Sequence, residues 1–348
     1  MSNKPIIIVT GGCGYIGSHT CIELANYFEL VIIDNLKNSS QQSINKVEKL
    51  ISQKIIFYKE DLLNIEALDI IFAKHNPYAV IHFAGLKSVN ESIKMPLVYY
   101  QNNINSTLNL LEIMKKYKCF NLIFSSSATV YGNKISPLKE DMVIGEGITN
   151  PYGQTKYMIE KILEDICISS SHWNIISLRY FNPVGAHPSG LIGENPNDIP
   201  NNLMPFILKV AINNNTDINL GAQYNELKIF GGDYSTKDGS CERDFIHVTD
   251  LAKGHVAALQ KIDKLVGYNI FNLGTGTPVS VLKIINEFET INKVTIPHKL
   301  SDRRPGDLEV SFCDPEYTEK ILHWKTEKSL KDICVDAWRF QKLNPRGF

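Results

Sequence analysis

The sequence predicts an α/β protein, a doubly wound parallel sheet with a smaller α/β unit following it. Two observations carry this. Short β-branched apolar runs alternate with helical stretches through the first half, as βαβ units require. The runs are apolar throughout rather than alternating, as strands covered on both faces are. In order they are Ile6–Val9, Leu30–Ile33, Ile55–Tyr58, Ala79–Phe83, Asn121–Phe124 and Ile175–Arg179. Between them, Ile16–Tyr27 and Leu108–Tyr117 space their apolar residues three and four apart, the helical period. After Phe181 the texture changes: 182–202 is rich in Pro, Gly and Asn and reads as a functional loop. The boundary falls there, giving units 1–181 and 182–348 that interleave at the junction. The second unit is expected to hold helices over Leu203–Ile212 and Asp250–Gln260, a Gly-rich polar stretch from Gly231 to Gly239, a strand over Tyr268–Leu273, and helices near Val281 and Ser329.

Composition narrows the function. Lys plus Arg, 36, balances Asp plus Glu, 37, so no global field exists to attract nucleic acid or an anionic membrane. Seven scattered cysteines without a C-x-x-C pair suit a reducing compartment. Ile6–Val9 is too short for a signal-peptide core, and no apolar stretch reaches the 18 or so residues of a membrane span. A cytoplasmic protein is expected. Nine dispersed histidines, with no i, i+4 pair, give no metal centre.

Directly after the first strand, Gly11, Gly14 and Gly17 form a G-x-x-G-x-x-G turn opening a helix. Such glycines allow a tight strand-to-helix turn, close approach of a pyrophosphate and close packing of helix on sheet. The helix N-terminus then offers unpaired N–H groups to phosphates. Taken alone, the spacing also fits an ordinary Gly-rich turn. Asp34, ending the second strand 20 residues after Gly14, adds the carboxylate that accepts from ribose hydroxyls and repels a 2′-phosphate. A Rossmann fold binding NAD rather than NADP is expected, although Lys37 lies nearby. Asp61, closing the third strand, fits an adenine contact and a strand-end cap equally well. His82 to Lys87 is a run whose small residues let a cofactor pass, with Lys87 in reach of a phosphate.

The fifth strand runs into Ser125-Ser126-Ser127-Ala128-Thr129, and a helix opened by Asn150-Pro151 carries Tyr152 and Lys156 one turn apart. A neighbouring ammonium favours a phenolate, which suits Tyr152 to accept an alcohol proton. Tyr157/Lys161 and Tyr224/Lys228 repeat the spacing. Only Tyr152 follows the serine cluster at a strand's C-terminal end, and Tyr157 is turned roughly 140° away on the same helix.

Together these motifs resemble the extended short-chain dehydrogenase/reductase superfamily. Within it, Arg179 to Gly190, Ile199 to Pro205, Arg243 to Val248 and Arg303 to Asp307 resemble the UDP-glucose 4-epimerase family, and the likeness spans the chain. The resemblance implies a catalytic Ser127, Tyr152 and Lys156. It implies NAD contacts from Gly11, Gly14, Tyr15, Ile16, Gly17, Asp34, Asn35, Asn38 and Ser39. Further contacts fall on Asp61, Leu62, Phe83, Ala84, Lys87, Asn102 and Tyr180, with Tyr152 and Lys156 also touching the cofactor. A UDP-hexose would meet Ser127, Asn182, Asn202, Leu203, Phe230, Arg243, Arg304, Asp307 and Ser311. Arg243 and Arg304 have the forked chemistry a diphosphate takes. A homodimer through helices near 90–118 and 152–168 is implied as well.

Two positions depart from the family pattern. Glu60 stands where relatives often have Gly, beside the adenine contact. Ser311 is small where some relatives carry an aromatic, which leaves room for an N-acetyl group and so for UDP-N-acetylhexosamines. A 4,6-dehydratase would need an acid pair at positions held here by Ala128 and Thr129. A non-catalytic NAD-binding protein would be expected to have lost the Ser/Tyr/Lys set.

Overall fold

The computed structural model describes residues 4–196, 200, 202–304 and 306–348. Ile199, Asn201 and Pro305 of the motifs above lie outside them. In chain order the elements begin β1 (Ile6–Thr10), α1 (Tyr15–Leu24), β2 (Glu29–Ile33), α2 (Gln41–Ile51), β3 (Ile56–Tyr58), α3 (Ile65–His75) and β4 (Ala79–His82). Next come α4 (Val89–Lys94), α5 (Pro96–Lys116), β5 (Asn121–Ser127), α6 (Pro151–Ser169), β6 (Asn174–Tyr180) and β7 (Asn182–Val184). The remainder is α7 (Leu203–Asn215), β8 (Leu227–Phe230), β9 (Glu242–His247), α8 (Val248–Lys261), β10 (Gly267–Leu273), β11 (Pro278–Ser280), α9 (Val281–Asn292), β12 (His298–Ser301), β13 (Val310–Ser311), α10 (Glu316–Leu322) and α11 (Leu330–Leu343).

Seven parallel strands form the main sheet in the order β10-β6-β5-β4-β1-β2-β3. The central strands β1, β2 and β4 are almost wholly apolar because both faces are covered. Ile7 and Val9 join one core with Leu24, Val47 and Leu251, whereas Ile8 joins the other with Phe72, Leu110 and Leu163. The strand order reverses between β1 and β4, which opens a crevice at the C-terminal ends of the strands, where ligands bind in such sheets. The second unit packs α7, α9 and α11 around its own core. It carries a four-stranded sheet of β7, β9, β11 and β13 and a parallel pair, β8 with β12.

Several expectations need correcting. The strand at Gly267–Leu273 belongs to the large sheet: β10 lies along β6 from Gly267↔Asn174 to Leu273↔Tyr180, and α8 packs on α1. The stretch read as a loop from 182 begins as β7, held parallel to β9. Helix α1 stops at Leu24 because Tyr27 and Phe28 N–H both close on the Leu24 carbonyl. Helix α5 starts at Pro96, well before Leu108, through a polar stretch whose Asn103 and Thr107 are buried in hydrogen bonds. Strand β3 ends at Tyr58, so Asp61 sits in the turn beyond it rather than closing the strand.

Candidate active site

Gly11 has φ +72°, and a Cβ there would lie 2.7 Å from the Ala84 nitrogen on the segment leaving β4. A Cβ on Gly17 would lie 2.3 Å from the Gly11 carbonyl oxygen. The turn is therefore wrapped as tightly as backbone allows. Gly14 caps α1 with no side-chain hydrogen bond, and the first turn holds no acidic residue, so its N–H groups and positive dipole end face the crevice. Asp34 anchors the exit of β2 to this cradle. Its Oδ2 accepts from Cys13 N–H at 3.0 Å, and its Oδ1 from Leu36 N–H at 2.9 Å and the Ser39 hydroxyl at 2.8 Å. Asp61 accepts from Leu63 N–H at 2.9 Å and, through its other oxygen, from the Asn35 amide at 2.8 Å.

Beyond the cradle, β5 delivers Ser127, whose Oγ accepts from Thr129 N–H at 3.3 Å and the Thr129 hydroxyl at 3.0 Å. Helix α6 starts where it does because the Asn150 side chain accepts from Gly153 N–H at 2.9 Å and Pro151 needs no partner for its nitrogen. That brings Tyr152 into the cleft with Ser127 and sets the Lys156 ammonium on the Ser125 carbonyl at 2.5 Å. Burial pushes the Tyr152 phenol above its ordinary pKa, and the Ser127 hydrogen bond only opposes this. Lys156 is pushed down to about 8 by burial, with Glu160 one turn on working against the shift. The Lys156 ammonium lies 5.9 Å from the Tyr152 ring centre and donates to the Ser125 carbonyl. Of the other Tyr/Lys pairs, Tyr157 packs on Gly145 and Tyr224 sits in the core of the second unit.

At the far end, Arg243 on β9 and Arg304 flank Asp307. Arg304 Nε is 3.0 Å from one carboxylate oxygen and Arg243 Nη2 is 3.9 Å from the other. Ser311 is in register with Arg243 across β13 and β9. Tyr180, at the end of β6, bonds His255, whose ring lies 4.9 Å from that of Phe83. One cleft of about 930 Å³ joins all of this. Every residue predicted for cofactor, substrate or catalysis lines it except Phe230. Phe230 lies under the Arg304 guanidinium, 4.7 Å from ring centre to carbon.

Residues 7–274 match the model of the NAD dependent epimerase/dehydratase family. The chain belongs to that family. It is 51% identical over 345 residues to a UDP-glucose 4-epimerase of Dictyostelium discoideum, covering 98% of this chain and 97% of the relative. With a UDP-glucose 4-epimerase of Bacillus subtilis it shares 49% over 344 residues, 98% of each. A crystal structure of the Bifidobacterium longum UDP-glucose 4-epimerase with NAD+ and UDP superposes with a TM-score of 0.92 at 44% identity, covering 99% of this chain and 100% of that one.

For an epimerase of this family the residues present fit NAD: a glycine turn with no room for a Cβ, an uncapped helix end for the pyrophosphate, and a buried Asp34 at the ribose position. Two cleft features were missed from the sequence. Asn103, within the polar part of α5, pins the segment carrying Lys87 by pairing with both N–H and carbonyl of Leu86, at 2.8 and 3.0 Å. Glu194 lines the cleft against Lys87 and Asn202. Only the helical period extended N-terminally from Leu108 signals the first, and no local pattern signals the second.

Proposed function

We propose that this epimerase interconverts UDP-glucose and UDP-galactose by inverting C4 of the hexose, with NAD retained through the cycle. The observation that carries the reading is that Ser127, Tyr152 and Lys156 line the same cleft as the glycine cradle and the Arg243/Arg304 pair. Bound NAD supplies acceptor and donor for one hydride, so C4 can pass through a ketone without net oxidation. Tyr152 takes the proton from the C4 hydroxyl and later returns it. Ser127 holds that oxygen, and Lys156 supplies the positive charge that favours a phenolate. Arg243 and Arg304 keep the diphosphate while the keto-sugar turns about it to present its other face. Ala128 and Thr129, beside Ser127, offer no carboxylate for eliminating water, which speaks against a dehydratase. The test is conversion of UDP-galactose to UDP-glucose by the purified protein without added NAD. Absence of product from protein shown to hold NAD overturns the reading.

In this reading residues 1–181 hold the cofactor and 182–348 the sugar nucleotide, with β10 lent to the first unit. Ser311 leaves room for an N-acetyl group, so UDP-N-acetylglucosamine is a second substrate. Replacing Ser311 with Tyr is expected to lower turnover of that substrate by about 10-fold or more, from the cost of overfilling a packed pocket. UDP-galactose turnover should stay within a few-fold. Equal losses on both substrates would remove Ser311 from specificity.

The protein works as a cytoplasmic homodimer. Among the described residues no helix is long and apolar enough to cross a membrane. Leu97 and Leu108 are exposed on one face of α5, and Met158 is exposed on α6, which packs against α5. The Leu97→Asp/Leu108→Asp double variant is expected to halve the mass measured by light scattering. An unchanged mass would place any interface elsewhere.

A further inference from the structure

A cleft that takes two diphosphates should have no use for an extra carboxylate, because each anion is repelled by it and the low-dielectric walls strengthen the repulsion. Glu194 is such a group. Its side chain is only 9% exposed, and it lines the cleft between the two ends described above. Its Oε1 accepts from the Lys87 ammonium at 3.1 Å and from the Asn202 amide at 2.7 Å. Lys87 stands on the segment leaving β4, on the cofactor side, and Asn202 immediately precedes α7, on the sugar-nucleotide side. The carboxylate is also held in place from behind. Gly193 forms an antiparallel bridge with Ala186, and the Asn195 amide donates to the Phe348 carbonyl at 3.0 Å. Its charge reaches the Tyr15 phenol in the first turn of α1, itself donating to the Gly185 carbonyl at 2.7 Å.

We propose that Glu194 is a positioning residue that couples the two ends of the cleft, using one oxygen to set both the Lys87 ammonium and the Asn202 amide. A phosphate that draws Lys87 away leaves this oxygen to Asn202 alone, so occupancy of the cofactor end is felt at the sugar-nucleotide end. The inference rests on the cleft being the NAD and UDP-sugar site. It touches neither Ser127, Tyr152 nor Lys156, so it acts on binding and leaves the chemical step alone.

The experiment uses the holoenzyme and two readouts, steady-state kinetics with UDP-galactose and calorimetric binding of UDP, which needs no turnover. Glu194→Ala is expected to raise KM and weaken UDP binding by about 10-fold, the scale of a lost hydrogen bond to a charged group, with kcat within about threefold. Glu194→Gln keeps an oxygen for Asn202 and should recover most of the loss. Adding Asn202→Ala to Glu194→Ala should cost little more than the worse single change, because the two act as a unit. The proposal is overturned if Glu194→Ala leaves UDP binding within twofold of wild type, if the double variant's losses multiply, or if kcat falls as far as KM rises. Wild-type protein that binds UDP and shows the coupling but turns nothing over would sink the epimerase reading alone. Failure of wild type to bind UDP would sink both.

Discussion

Tyr152→Phe is expected to lower turnover of UDP-galactose by about 10²- to 10⁴-fold, the range that a positioned acid/base contributes. Only one oxygen is removed. Burial raises the Tyr152 pKa, so the hydroxyl rests as a neutral donor and must be converted to a base when substrate is in place. Phe fills the same volume and leaves the cradle at Gly11, Gly14 and Gly17 untouched. The variant should therefore keep its NAD, checked by releasing the cofactor with acid and measuring its absorbance. A loss of activity with loss of NAD would point to a structural role, and activity within tenfold of wild type would take Tyr152 out of the proton transfer.

Arg179→Met is expected to destabilise the fold by about 3–5 kcal/mol, the cost of leaving a buried ion without its partner. Arg179 and Glu160 have side chains only 1% and 2% exposed, so solvent screens nothing. The guanidinium meets both carboxylate oxygens, Nε at 3.1 Å and Nη2 at 2.7 Å, and its Nη1 donates to the Tyr131 hydroxyl at 2.9 Å. Tyr131 in turn donates to Asn272 on β10 at 2.7 Å, and Ser126 donates to Glu160. One charge pair thus joins β5, β6, α6 and β10 just below Lys156. Denaturant midpoints measure the loss. Adding Glu160→Gln to the variant should return part of it, because the orphaned charge is then gone. A single-variant loss under about 1 kcal/mol would show that the pair adds nothing beyond what packing supplies.

What could be read from the sequence was local. Continuous apolar runs located β1 to β6 because strands covered on both faces have no polar side to show. Gly17 and Asp34 were legible because a tight turn and a carboxylate that ends the second strand beside it restrict residue type at fixed spacing. Asn150-Pro151 marked the start of α6, and so the register that aims Tyr152 at Ser127. The features that stayed hidden depend on partners distant in the chain. Nothing around Gly267–Leu273 says that its neighbour is β6 rather than a strand of its own unit. The polar half of α5 is helical because Asn103 and Thr107 find buried partners elsewhere. Glu194 gains its meaning from Lys87, more than one hundred residues earlier.

The strand borrowed from late in the chain sets an order of events for synthesis. As the polypeptide leaves the ribosome, β1 to β6 can assemble, but the outer edge of β6 keeps its row of unpaired N–H and C=O groups until Leu273 has emerged. An open edge of that kind is a template for another chain, and intermediates that expose one are prone to aggregate. A nascent chain stalled or cut between β6 and β10 would therefore hold nearly all of its nucleotide-binding parts while lacking the piece that seals them. The late strand makes translation past Leu273 a condition for a sealed sheet.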